Sequence, residues 1–373
     1  MKTIEIEPSV LKYYIENSGV SIREIEDKVK SISKILSGEK VPSFNQLSDI
    51  SKKINVPTGF LILNKIMETR KPKIDFRTLN SNFISEMSNN LKEVIKDMEL
   101  KQDFLREETE NELAFIGSID KEVSSIEAAK QIRAILDVPG FWQIESKNNA
   151  FNYFRAKINK IGVYVFISGI VKQNTHKSLD LSEFRGFSLY DKKAPIIFIN
   201  AKDSTNNGKL FTIIHELVHL FLNNEGITNY KVDFGDYSFS SIEVFANKIT
   251  SEILVPINLF SNEKTKNIDK LSKKFKVSKS VINRRLFDFG KITREEFESN
   301  IKIFNKEFEE YKKNKEQTSG GNYYNTLKSK IDPIFFNVVR NAIYSNKISY
   351  TEAFNLIGVS YKGYKELEGR DID

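Results

Sequence analysis

The sequence predicts an α+β protein that is mostly helical. Three observations carry that expectation. Most of the 373 residues lie in segments whose apolar side chains recur at helical spacing. Three short runs rich in β-branched and aromatic residues cluster between residues 162 and 200, which gives a small mixed sheet. An apolar run over 211–221 follows them and carries two of the chain's three histidines.

Composition bounds the function. The chain has no cysteine, which excludes disulfides, thiolate metal ligands and cysteine nucleophiles, and suits a reducing cytoplasm. The first residues lack an apolar signal-peptide core, and no stretch approaches the ~18 apolar residues a membrane span needs. A cytoplasmic protein with no membrane partner is expected. The net charge of +7 and a pI near 9.1 permit nucleic-acid contact without demanding it.

Residues 8 to 63 read as five short helices. The first, 8–17, is amphipathic through Val10, Leu11, Tyr14 and Ile15. Gly19-Val20-Ser21 breaks the chain and caps a second helix with Ile22, Ile25 and Val29 inward. A third, 31–36, ends at Gly38; Pro42-Ser43 opens a fourth over 44–54; a fifth covers 58–63. Five helices with a tight turn between the second and third look like an Xre-type helix-turn-helix. On DNA, Lys30, Ser31, Ser33 and Lys34 would face the duplex, with Arg23 near a phosphate. The reading helix carries no Arg, Asn or Gln for bidentate base contacts, so a partner-binding module is an equal reading.

A basic connector over 65–73 leads to Asp75-Phe76-Arg77-Thr78 and then a long helix over 84–112, with Leu91, Val94, Ile95, Met98 and Leu105 at helical spacing. Helices over 125–136 and 151–161 follow. The expected strands are 162–167, 185–190 and 195–200, the last two joined as a hairpin through 191–194. A free edge at 185–190, or at the strand after it, would pair with an extended peptide. His176 and Arg185 are candidate substrate or oxyanion contacts; a surface histidine and a structural ion pair are the plain alternatives. Tyr230 and Tyr237, in the polar loop over 223–238, are two further oxyanion candidates.

The run over 211–221 reads H-E-x-x-H. On a helix, His215 and His219 share one face, a spacing that tetrahedral zinc accepts. Glu216 points about 100° away, which suits a general base acting on an attacking water. A zinc site needs a third protein ligand. A second helix over 240–255 stops before Pro256 and places Glu243, Ala246, Asn247 and Thr250 on one small, polar face. That face permits close approach and aims Glu243 at the metal, although Ser240-x-x-Glu243 also fits a capping box. Glu252 lies on the opposite side of the helix.

His215-Glu216-x-x-His219, then Glu243-x-x-Ala246-Asn247, then Leu254-x-Pro256 resembles the ImmA/IrrE family of zinc metallopeptidases, in particular those with an N-terminal Xre-type domain. Pro42-Ser43-x-x-Gln46-Leu47, Glu183-Phe184-Arg185-Gly186-Phe187 and Phe198-Ile199-Asn200 are similar to that subset as well. The resemblance implies a zincin-like domain with Zn2+ held by His215, His219 and Glu243. It implies cleavage of a protein substrate, a bacterial repressor or antitoxin-like protein. A regulator acting by binding alone, or a toxin–antitoxin or phage-defence component, is the other class.

Beyond Pro256, helical segments cover 268–275, 279–287 and 304–315. Thr318-Ser319-Gly320-Gly321-Asn322 reads as a linker before a small helical tail with segments at 323–331, 333–345 and 349–357. The expected organisation is a helix-turn-helix domain at 1–70, a helical linker region at 71–140, a peptidase domain at 141–315 and a C-terminal domain at 316–373.

Overall fold

A computed structural model describes residues 3–63 (except 17, 19, 55 and 57), 65–66, 87–222 (except 121, 148 and 204), 226–228, 241–315 and 330–369. The run at 75–78, Tyr230, Tyr237 and the linker at 318–322 lie outside the described residues. The chain divides into two compact units, Met1–Lys71 and Pro72–Asp373. Among the described residues, no helix is long and apolar enough to cross a membrane.

The first unit holds α1 (Pro8–Glu16), α2 (Ile22–Glu26), α3 (Ile32–Leu36), α4 (Phe44–Ile54) and α5 (Thr58–Ile62). Ser21 and Glu24 close a reciprocal capping box at the start of α2. Leu11, Ile25, Ile32, Ile35, Leu47, Ile50 and Leu61 are buried together, so every one of the five helices contributes to a single core.

Among the described residues, the second unit begins with α6 (Asn89–Glu108), α7 (Ser125–Ile135), α8 (Trp142–Glu145) and α9 (Ala150–Lys160). Ser88 caps α6 by accepting from Leu91 N–H, and its own N–H and hydroxyl donate to Glu183. The helix stops short of residue 112, and beyond it Leu113 N–H donates to Lys192 O, in the turn at 191–194, at 2.7 Å.

The strands are β1 (Tyr164–Ser168), β2 (Ile170–Val171), β3 (Asn174–Ser178), β4 (Gly186–Leu189), β5 (Ile196–Asn200) and β6 (Gly226–Thr228). Four form one mixed sheet in the order β1-β5-β4-β6, with β1 parallel to β5 and the other pairings antiparallel. The expected hairpin is β4–β5. The expected peptide edge is corrected: β5 is internal, and β4 pairs with β6 through Gly186–Thr228, Phe187–Ile227 and Ser188–Gly226. The small outer strand is only three residues long and follows a helix, so no alternation marked it in the sequence.

Then come α10 (Asn206–Phe221), α11 (Ser241–Leu254), α12 (Ile257–Phe260), α13 (Ile268–Phe275), α14 (Lys279–Asp288), α15 (Arg294–Lys315), α16 (Pro333–Tyr344), α17 (Tyr350–Ile357) and α18 (Tyr361–Glu368). The sheet separates two cores by strand alternation. Val165, Ile167, Ile197 and Ile199 join α10 and α11 on one face. Tyr164, Phe166, Ile196 and Phe198 join α6 and the C-terminal helices on the other. Residues 331–367 therefore complete the cover of the sheet, where the sequence suggested a separate tail. Asp332 fixes this docking. Its buried carboxylate caps α16 through Phe335 N–H and accepts from Val165 N–H of β1 at 2.7 Å and from Asn159 Nδ2 at 2.5 Å.

Candidate metal centre

The helix that carries H-E-x-x-H is buried all round from Thr212 to Phe221, which explains the apolar run that contains it. Its N-terminus is tied to the sheet. Thr205 caps α10 by accepting from Gly208 N–H, and Asp203 accepts from the N–H and hydroxyl of Thr205. Arg185, the residue before β4, donates to Asp203 at 2.8 Å. A Cβ at position 208 would fall 2.3 Å from Asp203 Oδ2, so only glycine fits there. The helix is thereby fixed along its axis relative to β4.

The partner helix α11 is fixed at its other end. Helix C-termini leave carbonyls unpaired. Here Ile253 O accepts from Arg133 Nη1 at 2.5 Å, Leu254 O from Trp142 Nε1 at 3.0 Å and Val255 O from Arg285 Nε at 2.9 Å. Two of these donors are cationic and complement the helix dipole. Arg285 also pairs with buried Glu252, whose other oxygen accepts from Ile257 N–H across Pro256. Glu252 is thus a structural carboxylate, on the side of α11 away from Glu243.

Between these two anchored helices the three expected ligands converge. His215 Nε2 lies 2.7 Å from His219 Nε2. Glu243 reaches both, with Oε2 3.2 Å from His215 Nε2 and Oε1 3.3 Å from His219 Nε2. Among the described residues, His215, His219 and Glu243 are the one group placed to hold a metal ion. Zinc bound tetrahedrally at about 2.0–2.1 Å sets ligand separations near ~3.3 Å. The two imidazole–carboxylate distances match that value, and the imidazole pair is closer by about half an ångström, within reach of a side-chain adjustment. Ala246 and Thr250, both fully buried, let α11 approach α10 this closely.

The electrostatics suit a dication. Burial acts to raise the Glu243 carboxyl, but the hydrogen bonds and charges of His215 and His219 outweigh it and hold it well below the carboxylate range. Burial, reinforced by the neighbouring His219, pushes His215 toward its neutral, ligating form. Burial opposes charge on His219 too, yet the Glu243 and Glu216 carboxylates raise it above its ordinary value. Negative surroundings that retain a proton on the second imidazole are those in which a divalent ion displaces it. Asn247, one turn on from Glu243, adjoins His215 and favours its charged ring, although its Oδ1 is buried without a hydrogen bond of ordinary geometry.

Glu216 is fully buried and faces β4. The contact was invisible in the sequence: a Cβ built on Gly186 would come 3.3 Å from Glu216 Cγ and 2.7 Å from Thr212 Cγ2. A bare backbone at Gly186 is what allows strand and helix to meet beside the metal ligands.

The other candidates are placed elsewhere. His176 is exposed on β3, in the separate β2–β3 ribbon, and its N–H donates to Asn174. Arg185 serves the ion pair with Asp203. In the first unit, Arg23, Lys30, Ser33 and Lys34 are exposed, whereas the Ser31 hydroxyl accepts from Gln46 Nε2 at 3.1 Å and ties α3 to α4.

No curated protein and no solved structure matches the chain. A family model described as the IrrE N-terminal-like domain, peptidase family M78, matches residues 158–287. That stretch contains the sheet, both site helices and all four residues of the constellation. Residues 158–287 are therefore similar to the IrrE N-terminal-like domain, which supports an ImmA/IrrE relationship and a metallopeptidase-like role for the centre they build.

Proposed function

We propose that the second unit is a zinc-dependent endopeptidase, with His215, His219 and Glu243 as metal ligands and Glu216 as general base. The observation that supports it is the convergence of two buried imidazoles and a carboxylate from two independently anchored helices, with a second buried carboxylate alongside. A zinc ion there supplies Lewis-acid polarisation and lowers the pKa of water toward ~7. Glu216 takes a proton from the attacking water and returns it to the leaving amine, the acid–base work its position one residue from His215 suits. The peptide-binding edge in this reading is β6, the outer strand on the β4 side of the sheet, whose inner side is held by β4. The substrate is a bacterial repressor or antitoxin-like protein. The helical first unit recognises DNA or that partner, with Arg23, Lys30, Ser33 and Lys34 as its accessible polar surface.

The test is Glu216→Gln in the full chain. Metal content is expected to stay at one ion per chain while cleavage of a neighbouring-gene repressor is lost. If Glu216→Gln cleaves or regulates as the parent does, the protein acts by binding, as a non-catalytic regulator or defence component.

A further inference from the structure

On the sheet face away from the metal centre, α6, β1, β5 and the C-terminal helices line a half-open pocket, whose ≈ 540 Å³ of empty space includes open solvent. Phe166, Phe198 and Phe335 form much of its apolar wall, and Asp97, Lys101, Lys172 and Lys330 also line it. Lys101 is the anomaly. It falls on the inward stripe of α6 with Val94, Met98 and Leu105, where an apolar residue would serve the core, and is only 5% exposed. A buried ammonium is weak evidence for stability, because an apolar residue of similar volume commonly does as well or better.

Its charge is only partly balanced. Lys101 pairs with Asp97 and stands 6.0 Å from the Phe166 ring centroid. The other Asp97 oxygen is 4.0 Å from Lys172 Nζ, so one carboxylate is shared by two ammonium groups. Lys330 is half-buried, and among the described residues no carboxylate pairs with it. Three cations therefore face one anion in a partly dry, aromatic-walled space. Burial works against the charge on Lys101 and Lys330 alike, and a bound anion would restore it.

We propose that this cavity binds a small organic monoanion, a carboxylate with a short apolar or aromatic body. The head group lies among Lys101, Lys172 and Lys330, and the body covers the phenylalanine wall. A single charge is favoured over a phosphate dianion because Asp97 remains in the site and the aromatic wall penalises every further charge.

Calorimetric titration of the full-length protein with hexanoate and phenylacetate, each against its amide, tests this without any peptidase assay. Both acids are expected to bind, and the neutral amides about tenfold or more weaker. Lys101→Met is expected to weaken the acids about tenfold while sparing the amides. Lys172 is mostly exposed, so the pair Lys172→Gln and Lys330→Gln gives the same test if Lys101→Met fails to fold. Amides binding as tightly as the acids, lysine variants binding the acids unchanged, or no heat from the acids up to about 10 mM would each overturn the proposal.

Discussion

Replacing Gly186 with alanine tests how strand β4 meets the helix that carries H-E-x-x-H. The backbone of Gly186 is not in the left-handed region, so alanine is conformationally allowed, and restricting the unfolded chain would by itself stabilise by about 0.4–1 kcal/mol. The native contacts oppose this. The added Cβ would lie 2.7 Å from Thr212 Cγ2, 3.0 Å from Phe198 O and 3.3 Å from Glu216 Cγ. The middle contact is backbone of the neighbouring strand β5 and has little freedom to yield. Overpacking of this kind costs about 1–3 kcal/mol. The net expectation is a loss of roughly 0–2.6 kcal/mol, the overpacking cost less the chain-entropy gain. Thr212→Ser removes the Cγ2 of the shortest contact, so the double variant should recover about 0.5–1 kcal/mol as a coupling energy. Urea unfolding followed by fluorescence of Trp142, the chain's one tryptophan and a buried member of the second unit, isolates the relevant transition. A stabilised Gly186→Ala protein, or strict additivity with Thr212→Ser, would refute the close-approach argument.

Four further outcomes are expected. Chelation should lower the thermal midpoint of the second unit and zinc should restore it, since saturation at 100–1,000 times Kd is worth about 3–4 kcal/mol; an unchanged midpoint would show that no ion is held. Glu243→Ala should abolish stoichiometric zinc while Glu252→Gln leaves it, as measured by metal analysis on folded protein, because Glu252 is engaged by Arg285 and Ile257. Asp332→Ala leaves three buried donors unpaired and should cost about 3 kcal/mol or more, with hydrogen-exchange protection lost first across α16 to α18. Arg285→Met strips a buried partner from Glu252 and a donor from Val255 O; a destabilisation of about 3–5 kcal/mol is expected in urea unfolding, and one under about 1 would rule out the anchoring role.

Local periodicity made most helices legible. Ser21, Ser278 and Ser349 each cap the helix that follows them, because capping is decided within three residues. The hairpin of β4 and β5 was legible for the same reason. Strand β6 was not, since three residues carry no period and its partner lies some forty positions earlier. The partners of Ser31 and Arg185 were not legible either. Their chemistry suits a ligand, but each is engaged by a residue, Gln46 or Asp203, that sequence spacing does not bring near.

What the chain determines by itself is the donor set. His215 and His219 share a face because four residues make slightly more than one helical turn, and Glu243 shares one with Ala246, Asn247 and Thr250 by the same periodicity. Only the tertiary structure brings those two faces together, through the Arg185–Asp203–Thr205 tie at one end and the Arg133, Trp142 and Arg285 caps at the other. The same holds for Lys101, which reads as a stray charge on an apolar stripe until Lys172 and Lys330 appear around one cavity. Helical neighbours are written in the spacing of residues, whereas meetings between elements depend on distant parts of the chain closing loops around a shared core.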